Sequence, residues 1–318
     1  MLLFALDDDD RPFAQALAAD LDCALAPHEL RRFDDGEAKC RPLVDPRGED
    51  AYVLQSLHGG PQESPHDKLV RLLLFIATLR DHGALRVSAV IPYFAYARKD
   101  RRTQPHDPVG QRGIAQLIEA MGASQVITIE PHNPAAFDNA FRIPTLPLQG
   151  LEALRNAVAG MLGDGPVAVA SPDLGGAKRA QLWREDLEAH LKRTVGFAVI
   201  DKRRSAGVLG GGSIVAGDVS GATVVLVDDM VATGETLQRA ARALRAAGAR
   251  HVVACATHGL FVGAAGRTLA DGSVERLVVT DTVPPFRLPP GHEVPLVVAS
   301  AVPLVASALR ESHASFVR

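Results

Sequence analysis

Residues 223–236 read Thr-Val-Val-Leu-Val-Asp-Asp-Met-Val-Ala-Thr-Gly-Glu-Thr, and this stretch decides the fold. Its first five residues are β-branched or apolar, which predicts a buried strand, Thr223–Val227. An acidic pair, Asp228 and Asp229, follows on a predicted loop, and small residues then open a helix. Because parallel sheets bind ligands beyond the carboxyl ends of their strands, we expect a binding site at this loop.

The chemistry of this loop favours a sugar phosphate. Free N–H groups at the start of the helix, together with the helix dipole, attract an anion. The acidic pair would repel a phosphate, but carboxylates accept hydrogen bonds from vicinal sugar hydroxyls. The alternative is an ordinary strand-to-helix turn whose aspartates face water. The predicted binding residues are Asp228, Asp229, Ala232, Thr233, Gly234, Glu235 and Thr236.

Outward from this stretch, short β-branched runs alternate with helical patterns. Further strands are predicted at Leu2–Leu6, Ala51–Gln55, Val87–Ile91, Val126–Ile129, Val167–Ser171, Phe197–Asp201, His251–Thr257 and Arg276–Thr280. Helices are predicted at Lys68–Asp81, Val109–Met121, Ala177–Lys192 and Thr236–Ala247. Continuous apolar strands separated by helices indicate an α/β fold with mostly parallel sheets covered on both faces.

The strand–loop–helix pattern occurs twice, which predicts two similar domains. The boundary is expected near residues 145–150, where two prolines interrupt the pattern. Residues 1–147 then form one domain and residues 148–301 the other, with a C-terminal helix over 302–318 completing the first. A single large sheet is the alternative. The glycine-rich run Gly207–Gly212 predicts a mobile loop, because glycine is costly to order.

Composition excludes several classes of protein. The chain has 318 residues, of which 47% are apolar and 22% charged, as in ordinary globular proteins. Its formal charge of -3 gives no basic field for nucleic acid. Three widely spaced cysteines fit a reducing cytoplasm. The start lacks the basic region of a signal peptide, and Pro303 interrupts the longest apolar stretch. We expect a cytoplasmic protein that binds neither nucleic acid nor membranes.

Residues 223–236 resemble the phosphoribosyl-pyrophosphate-binding signature shared by type I phosphoribosyltransferases and ribose-phosphate pyrophosphokinases. Four further segments resemble the second family and occur in its order. Phe33–Glu37 is similar to its adenine-recognising stretch, and Val90–Arg101 to its basic ATP loop. Ser171–Gly176 is similar to its pyrophosphate loop, and Ile200–Arg204 to its catalytic loop. The resemblance runs from about residue 32 to residue 302 and implies two type I phosphoribosyltransferase-like domains.

The resemblance also implies an activity and a set of site residues. The reaction moves the β,γ-diphosphoryl group of Mg-ATP to the C1 hydroxyl of ribose 5-phosphate and releases AMP. The implied ATP-binding residues are Phe33, Asp35, Gly36, Glu37, Arg98, Lys99, Asp100 and His132. The implied pyrophosphate loop is Asp173, Leu174, Gly175 and Gly176, with His132 and Asp173 linked to Mg²⁺. Lys202 and Arg204 are the implied catalytic cations, and Arg179 is a further candidate.

Resemblance implies a homo-oligomer as well, since the family's adenine stretch reaches into the ATP site of a neighbouring subunit. A dimer-based assembly, such as a hexamer, is expected. The residues alone leave blander interpretations open: Phe33 as a core residue, Arg98, Lys99 and Arg101 as a solvated basic face, and His132 as structural.

Several positions depart from the family pattern. Ala232 replaces an aspartate, Glu235 replaces a small residue, and Leu57–His66 replaces the usual segment near regulatory contacts. Glu235 is compatible with phosphate binding if it points outward along the first helical turn. Two other functions therefore stay in competition. One is a phosphoribosyltransferase, and the other is a catalytically silent homologue that regulates active subunits.

Overall fold

The computed structural model describes residues 1–205 and 208–317, with side chains for residues 1–201 and 214–316. The chain divides into two compact units. Unit 1 comprises residues 1–150, 282–284 and 301–318, and unit 2 comprises residues 151–281 and 285–300. Within the described chain, no helix is both long enough and apolar enough to cross a membrane.

Unit 1 is built on a five-stranded sheet with helices on both faces. Its strands are β1 Leu2–Ala5, β2 His28–Arg32, β3 Ala38–Pro42, β4 Asp50–Leu54, β5 Arg86–Ile91, β6 Gln125–Ile129 and β7 Thr145–Leu148. Its helices are α1 Arg11–Asp20, α2 Pro65–Asp81, α3 Gly110–Ala120 and α4 Pro134–Ala140. The sheet order is β1-β4-β5-β6-β7, and all its pairs are parallel. β2 and β3 form a separate antiparallel hairpin.

Apolar side chains pack on both faces of this sheet, so its central strands β4, β5 and β6 are buried. On one face, Phe4 meets Phe75 of α2 edge to face at 5.1 Å. On the other face, Leu17 of α1 and Leu309 pack against Tyr52 of β4. Leu309 belongs to the C-terminal helix, which therefore completes the core of unit 1.

Unit 2 is built on a seven-stranded sheet. Its strands are β8 Val167–Ser171, β9 Gly196–Ser205, β10 Val208–Ala216, β11 Thr223–Val231, β12 His251–Gly259, β13 Arg276–Thr280 and β14 Leu296–Ala299. Its helices are α5 Leu151–Ala159, α6 Ala177–Leu191, α7 Glu235–Ala246 and α8 Ala265–Leu269, while α9 Val302–Val317 is the C-terminal helix of unit 1. The order is β10-β9-β8-β11-β12-β13-β14, parallel except for the pair of β9 and β10.

Strand orders show that the two units repeat one plan. In both, the first strand pairs with the strand that follows a hairpin, and the remaining strands add in sequence. The hairpin of unit 1 is β2–β3, which stands apart from its sheet, whereas β9–β10 extends the sheet of unit 2. The α/β fold with two mostly parallel sheets that the sequence predicts is confirmed.

Two local predictions were wrong. Asp228 and Asp229 lie within β11, not on a loop, because the strand continues through Met230 and Val231. Part of the glycine-rich run predicted as a loop is extended, since β10 begins at Val208 and pairs with β9. In both places a neighbouring strand supplies hydrogen bonds that outweigh local preference. Position 207 lies outside the described residues.

Candidate functional site

Two neighbouring strands bring the predicted sugar-phosphate and pyrophosphate segments to one edge of the unit 2 sheet. β8 and β11 pair in parallel, with Ala170 opposite Leu226. Ser171 ends β8, and Asp228 stands two residues beyond Leu226 on β11. Asp173 follows Ser171 on the loop that leads into α6. The carboxyl ends of adjacent parallel strands are the usual position of ligands in such sheets.

The loop after β8 is held by its own side chains. Asp173 caps a short 3₁₀ turn, Leu174–Gly176, by accepting a hydrogen bond from the Gly176 N–H at 3.2 Å. The hydroxyl of Ser171 donates to the carbonyl of Asp173 at 2.6 Å. A β-carbon at position 176 would lie 2.6 Å from Ser171 Oγ, so any other residue there would displace the Ser171 hydroxyl. The sequence predicted these residues together because glycines let a backbone approach an anion closely.

The turn after β11 presents the N-terminus of α7. Gly234 takes φ +80°, a conformation that costs other residues about 1–2 kcal/mol. Ala232 accepts a hydrogen bond from Val262 N–H at 3.0 Å, which ties the turn to the neighbouring loop. The first N–H groups of α7 have no partner within the helix and are suited to an anion. Glu235 is exposed in the first turn, consistent with a side chain that points outward.

The acidic pair on β11 is largely withdrawn from water. The side chain of Asp229 is 4% exposed, and its N–H donates to Asp228 Oδ1 at 2.9 Å. Burial raises the pKa of Asp228 well above its ordinary value, and the charge of Asp229 raises it further. Arg179 of α6 acts in the opposite direction and lowers that pKa. The two carboxylates are therefore largely buried, interact with each other and lie near the positive charge of Arg179.

In unit 1, the predicted adenine stretch forms the tip of the β2–β3 hairpin. Phe33 N–H donates to the carbonyl of Glu37 at 2.9 Å, and Gly36 N–H donates back to Phe33 at 3.0 Å. Asp35 accepts from Glu37 N–H at 3.1 Å, and Gly36 takes φ +92°. Phe33 is 39% exposed, with the Arg31 guanidinium 5.0 Å from the centroid of its ring. Phe33 is therefore not a core residue, and its face is accessible for stacking.

The basic loop after β5 is positioned by backbone contacts. Lys99 N–H donates to the carbonyl of Tyr96 at 2.9 Å, and Tyr96 has the uncommon φ of +66°. Arg98 and Lys99 are exposed. Asp100 accepts a hydrogen bond from the side chain of Asn133 at 2.8 Å. Because β5 and β6 are neighbours, this contact brings the basic loop beside exposed His132.

Sequence analysis missed a buried ionic network beside the β2–β3 hairpin. Lys68 of α2 is fully buried and pairs with Asp7, which follows β1. Arg71 forms two hydrogen bonds with Glu63, at 2.6 and 2.8 Å. A cavity of about 400 Å³ lies against Asp7, Glu63 and Arg71. The signal was charged residues at helix positions that face the sheet, together with four consecutive aspartates at 7–10.

Lys202 and Arg204 lie on the β9 backbone, and their side chains are outside the described part of the structure. Register pairs Lys202 with Ser213 and Arg204 with Leu209 of β10. Their catalytic roles stay predictions.

Comparison with known proteins identifies the family. The family model described as the N-terminal domain of ribose phosphate pyrophosphokinase matches residues 1–122, and the phosphoribosyl synthetase-associated domain matches residues 211–313. The ribose-phosphate pyrophosphokinase of Brucella melitensis is 37% identical over 285 residues, which cover 90% of this chain and 88% of that protein. The chain belongs to the ribose-phosphate pyrophosphokinase family. The ribose-phosphate pyrophosphokinase of Caldanaerobacter subterraneus is 36% identical to this chain, over 94% of this chain and 91% of its own length.

A solved pyrophosphokinase structure shares the fold throughout. The phosphoribosylpyrophosphate synthetase from Mycobacterium smegmatis superposes with a TM-score of 0.87 and 31% identity, covering 99% of both chains. Departures such as Ala232 and Glu235 therefore occur within an otherwise complete pyrophosphokinase fold.

The carboxylates present fit a magnesium ion that a pyrophosphokinase would receive with its nucleotide. Magnesium prefers oxygen ligands and is often held by one or two carboxylates together with substrate phosphates. Asp173 offers carboxylate oxygens at the edge of the unit 2 sheet. Among the described side chains, no group of three or more His, Cys, Asp or Glu residues could hold a metal alone. This donor set suits a metal shared with a polyphosphate.

Proposed function

We propose that this chain is a ribose-phosphate diphosphokinase that transfers the β,γ-diphosphoryl group of ATP to the C1 hydroxyl of ribose 5-phosphate. The products are 5-phosphoribosyl 1-pyrophosphate and AMP. One observation carries the proposal: the acidic pair of β11, the N-terminus of α7 and the glycine loop after β8 share one sheet edge. A sugar hydroxyl site, a phosphate site and a pyrophosphate loop are what this reaction requires together.

Ribose 5-phosphate binds in unit 2. Asp228 and Asp229 accept hydrogen bonds from its vicinal hydroxyls, and the 5-phosphate lies at the N–H groups of residues 232–236. The exposed side chain of Glu235 leaves that N-terminus accessible, and Thr233 and Thr236 add hydroxyl donors. Ala232 contributes through its backbone, for which alanine is adequate.

ATP is bound by residues of unit 1. Phe33 offers an exposed stacking face, and Asp35 and Glu37 are acceptors for the exocyclic amine of adenine. Gly36 supplies the left-handed turn that closes the hairpin tip. Arg98 and Lys99 neutralise the triphosphate, while Asp100 is fixed by Asn133 beside His132. Leu174, Gly175 and Gly176 complete the loop at Asp173.

Transfer of a phosphoryl-type group requires in-line positioning and compensation of charge. Lys202 and Arg204 are proposed to supply cations to the transferring group. Asp173 is the proposed magnesium ligand, with His132 acting through ATP or a bound water. When bound, magnesium neutralises charge on the phosphate oxygens. The chain's own residues orient the C1 hydroxyl by fixing the sugar at its other hydroxyls and its phosphate.

The proposed assembly is a homo-oligomer, built from dimers, in which Phe33–Glu37 serves a neighbouring subunit. An exposed aromatic ring at a hairpin tip supports this proposal, because such a ring suits an adenine or a partner surface.

Two incubations of the purified protein separate the candidate functions: one with ATP, Mg²⁺ and ribose 5-phosphate, and one with phosphoribosyl pyrophosphate and a base. A diphosphokinase forms AMP, and formation requires both substrates. A phosphoribosyltransferase instead forms a nucleotide and pyrophosphate from phosphoribosyl pyrophosphate and a base. A silent regulatory homologue forms neither product, and an absence of AMP at saturating substrates would overturn the proposal.

A further inference from the structure

Arg179 lies beside the acidic pair of β11. It is the third residue of α6, and its side chain is 18% exposed. Its Nη1 is 3.8 Å from Asp228 Oδ1 and 3.9 Å from Asp229 Oδ1. Both distances exceed that of a hydrogen bond, so this nitrogen acts on the two carboxylates through its charge.

A cation at this position answers a specific electrostatic problem. Asp228 and Asp229 are consecutive, and both are mostly withdrawn from water. Two carboxylates that share a buried site disfavour double ionisation. A protonated carboxyl loses much of its capacity to accept charge-assisted hydrogen bonds from sugar hydroxyls. Without an opposing positive charge, less of the pair would be ionised and its capacity to accept hydrogen bonds would fall.

The groups that face Asp228 come from the neighbouring elements of unit 2. Asp229 is beside it on β11, and Arg179 reaches it from α6. β12 places Ala256 opposite Asp228, and β8 ends at the uncharged Ser171. Arg179 therefore opposes the effects of burial and of Asp229 on the same carboxyl group.

We propose that Arg179 is a positioning residue whose guanidinium favours the ionised form of Asp228 and Asp229, in which they accept hydrogen bonds from the vicinal hydroxyls of ribose 5-phosphate. The inference rests on the proposed ribose 5-phosphate site and adds a residue that acts on its charge. Arg179 acts through the acidic pair.

Calorimetric titration with ribose 5-phosphate tests the proposal without relying on turnover. The dissociation constant is measured for the wild type and for Arg179→Gln between about pH 6 and pH 8.5. At each pH the dissociation constant of the variant is divided by that of the wild type. This ratio cancels the effect of titration of the sugar phosphate itself. We expect a ratio of about 10 or more at the acid end, since a nearby opposite charge shifts a carboxyl pKa by about 1–3 units. The ratio should fall towards one at the alkaline end.

Two variants control the experiment. Arg179→Lys restores a cation and should bring the ratio within about threefold of one, because charge compensation needs no bidentate geometry. Arg184→Gln removes a cation from the same helix, where it pairs with Glu188 at 2.7 Å, and should leave the ratio at one. The lysine variant also keeps the test decisive if the glutamine variant does not fold.

Three results would overturn the role of Arg179. They are a ratio that does not change with pH, a lysine variant as weak as the glutamine variant, and a lowered kcat with unchanged sugar-phosphate binding. A wild type that binds no ribose 5-phosphate would instead remove the proposed function, together with the site that Arg179 serves.

Discussion

Gly234 and Leu269 are packed so closely that a β-carbon on residue 234 would lie 2.7 Å from Leu269 Cγ. Gly234 also has φ +80°, so both space and backbone conformation require glycine at the proposed phosphate turn. Leu269 belongs to α8 and is 1% exposed, which leaves it little room to move.

Gly234→Ala should therefore displace the turn. We expect a loss of about 1–3 kcal/mol in the free energy of unfolding. The KM for ribose 5-phosphate should rise more than the KM for ATP. Gly272→Ala is the matched control, because Gly272 has φ +79° with open space around it. The control should share the backbone strain but keep both KM values. Equal changes in the KM for ribose 5-phosphate in the two variants would contradict a role of the Gly234 turn in phosphate binding.

Asp228→Asn tests the sugar hydroxyl site. Binding of ribose 5-phosphate should weaken by about 1.5–3 kcal/mol through loss of charge-assisted hydrogen bonds. Thermal stability should hold or increase, because the change removes one of two adjacent buried charges. Calorimetric titration beside a thermal melt measures both quantities. Unchanged affinity in a folded variant would exclude Asp228 from the site.

Lys202→Ala tests the proposed catalytic cation. Its charge is expected to act mainly on the transition state, so kcat should fall about 10²–10³-fold while the KM values change little. Steady-state kinetics at saturating substrates measures the effect. A kcat near that of the wild type would assign Lys202 to an ordinary solvated face.

Phe33→Ala tests the adenine stretch and the assembly together. The KM for ATP should rise by the equivalent of about 1–3 kcal/mol, the usual contribution of base stacking. Leu85→Ala, a truncation at an exposed position of the same unit, should have no such effect.

If Phe33 serves a neighbouring subunit, mixing and reassembling Phe33→Ala with Lys202→Ala should recover part of the activity. Recovery requires subunits that combine an intact hairpin tip from one chain with an intact loop from another. Light scattering that finds only monomer in an active preparation would contradict the assembly.

Asp7→Ala tests the buried network. Among the described side chains, Lys68 would keep an ion pair with Asp9 alone, at 3.5 Å, and breaking a buried ion pair costs about 3–5 kcal/mol. Asp8→Ala is the control, because Asp8 is exposed and its pair with Arg11 contributes about 0–1 kcal/mol. Chemical denaturation measures the free energy of unfolding of both variants. Equal losses in Asp7→Ala and Asp8→Ala would refute the importance of this network.

The same network predicts acid sensitivity. Burial opposes ionisation of both carboxyl groups, but Lys68 and Arg71 lower the pKa of Asp7 below its ordinary value. Arg71 and Arg32 do the same for the pKa of Glu63. Groups with a lowered folded pKa contribute stability above their unfolded pKa, and this contribution is lost as pH falls through the folded value. The denaturant concentration at the unfolding midpoint should therefore decrease as the pH is lowered below about 4. The decrease should be smaller in Asp7→Ala.

How much of this could be predicted depended on whether the signal was local. The strand at Thr223–Val227 and the glycine turn after it were predicted because apolar runs and small residues act on their neighbours. The placement of Asp228 on a loop was wrong, since pairing with β12 extends the strand beyond the acidic pair. Lys68 and Asp7 are distant in sequence, and their contact depends on how α2 packs against β1. Arg179 was a candidate from its position, but only the fold showed its distance to both aspartates.

Phosphorus NMR of the reaction with ATP, Mg²⁺ and ribose 5-phosphate tests the central claim most directly. Transfer of an intact diphosphoryl group predicts AMP and 5-phosphoribosyl 1-pyrophosphate in equal amounts, with no ADP and no free pyrophosphate. ADP with a ribose bisphosphate would show transfer of a single phosphoryl group instead. Either that result or unchanged substrates would contradict the account.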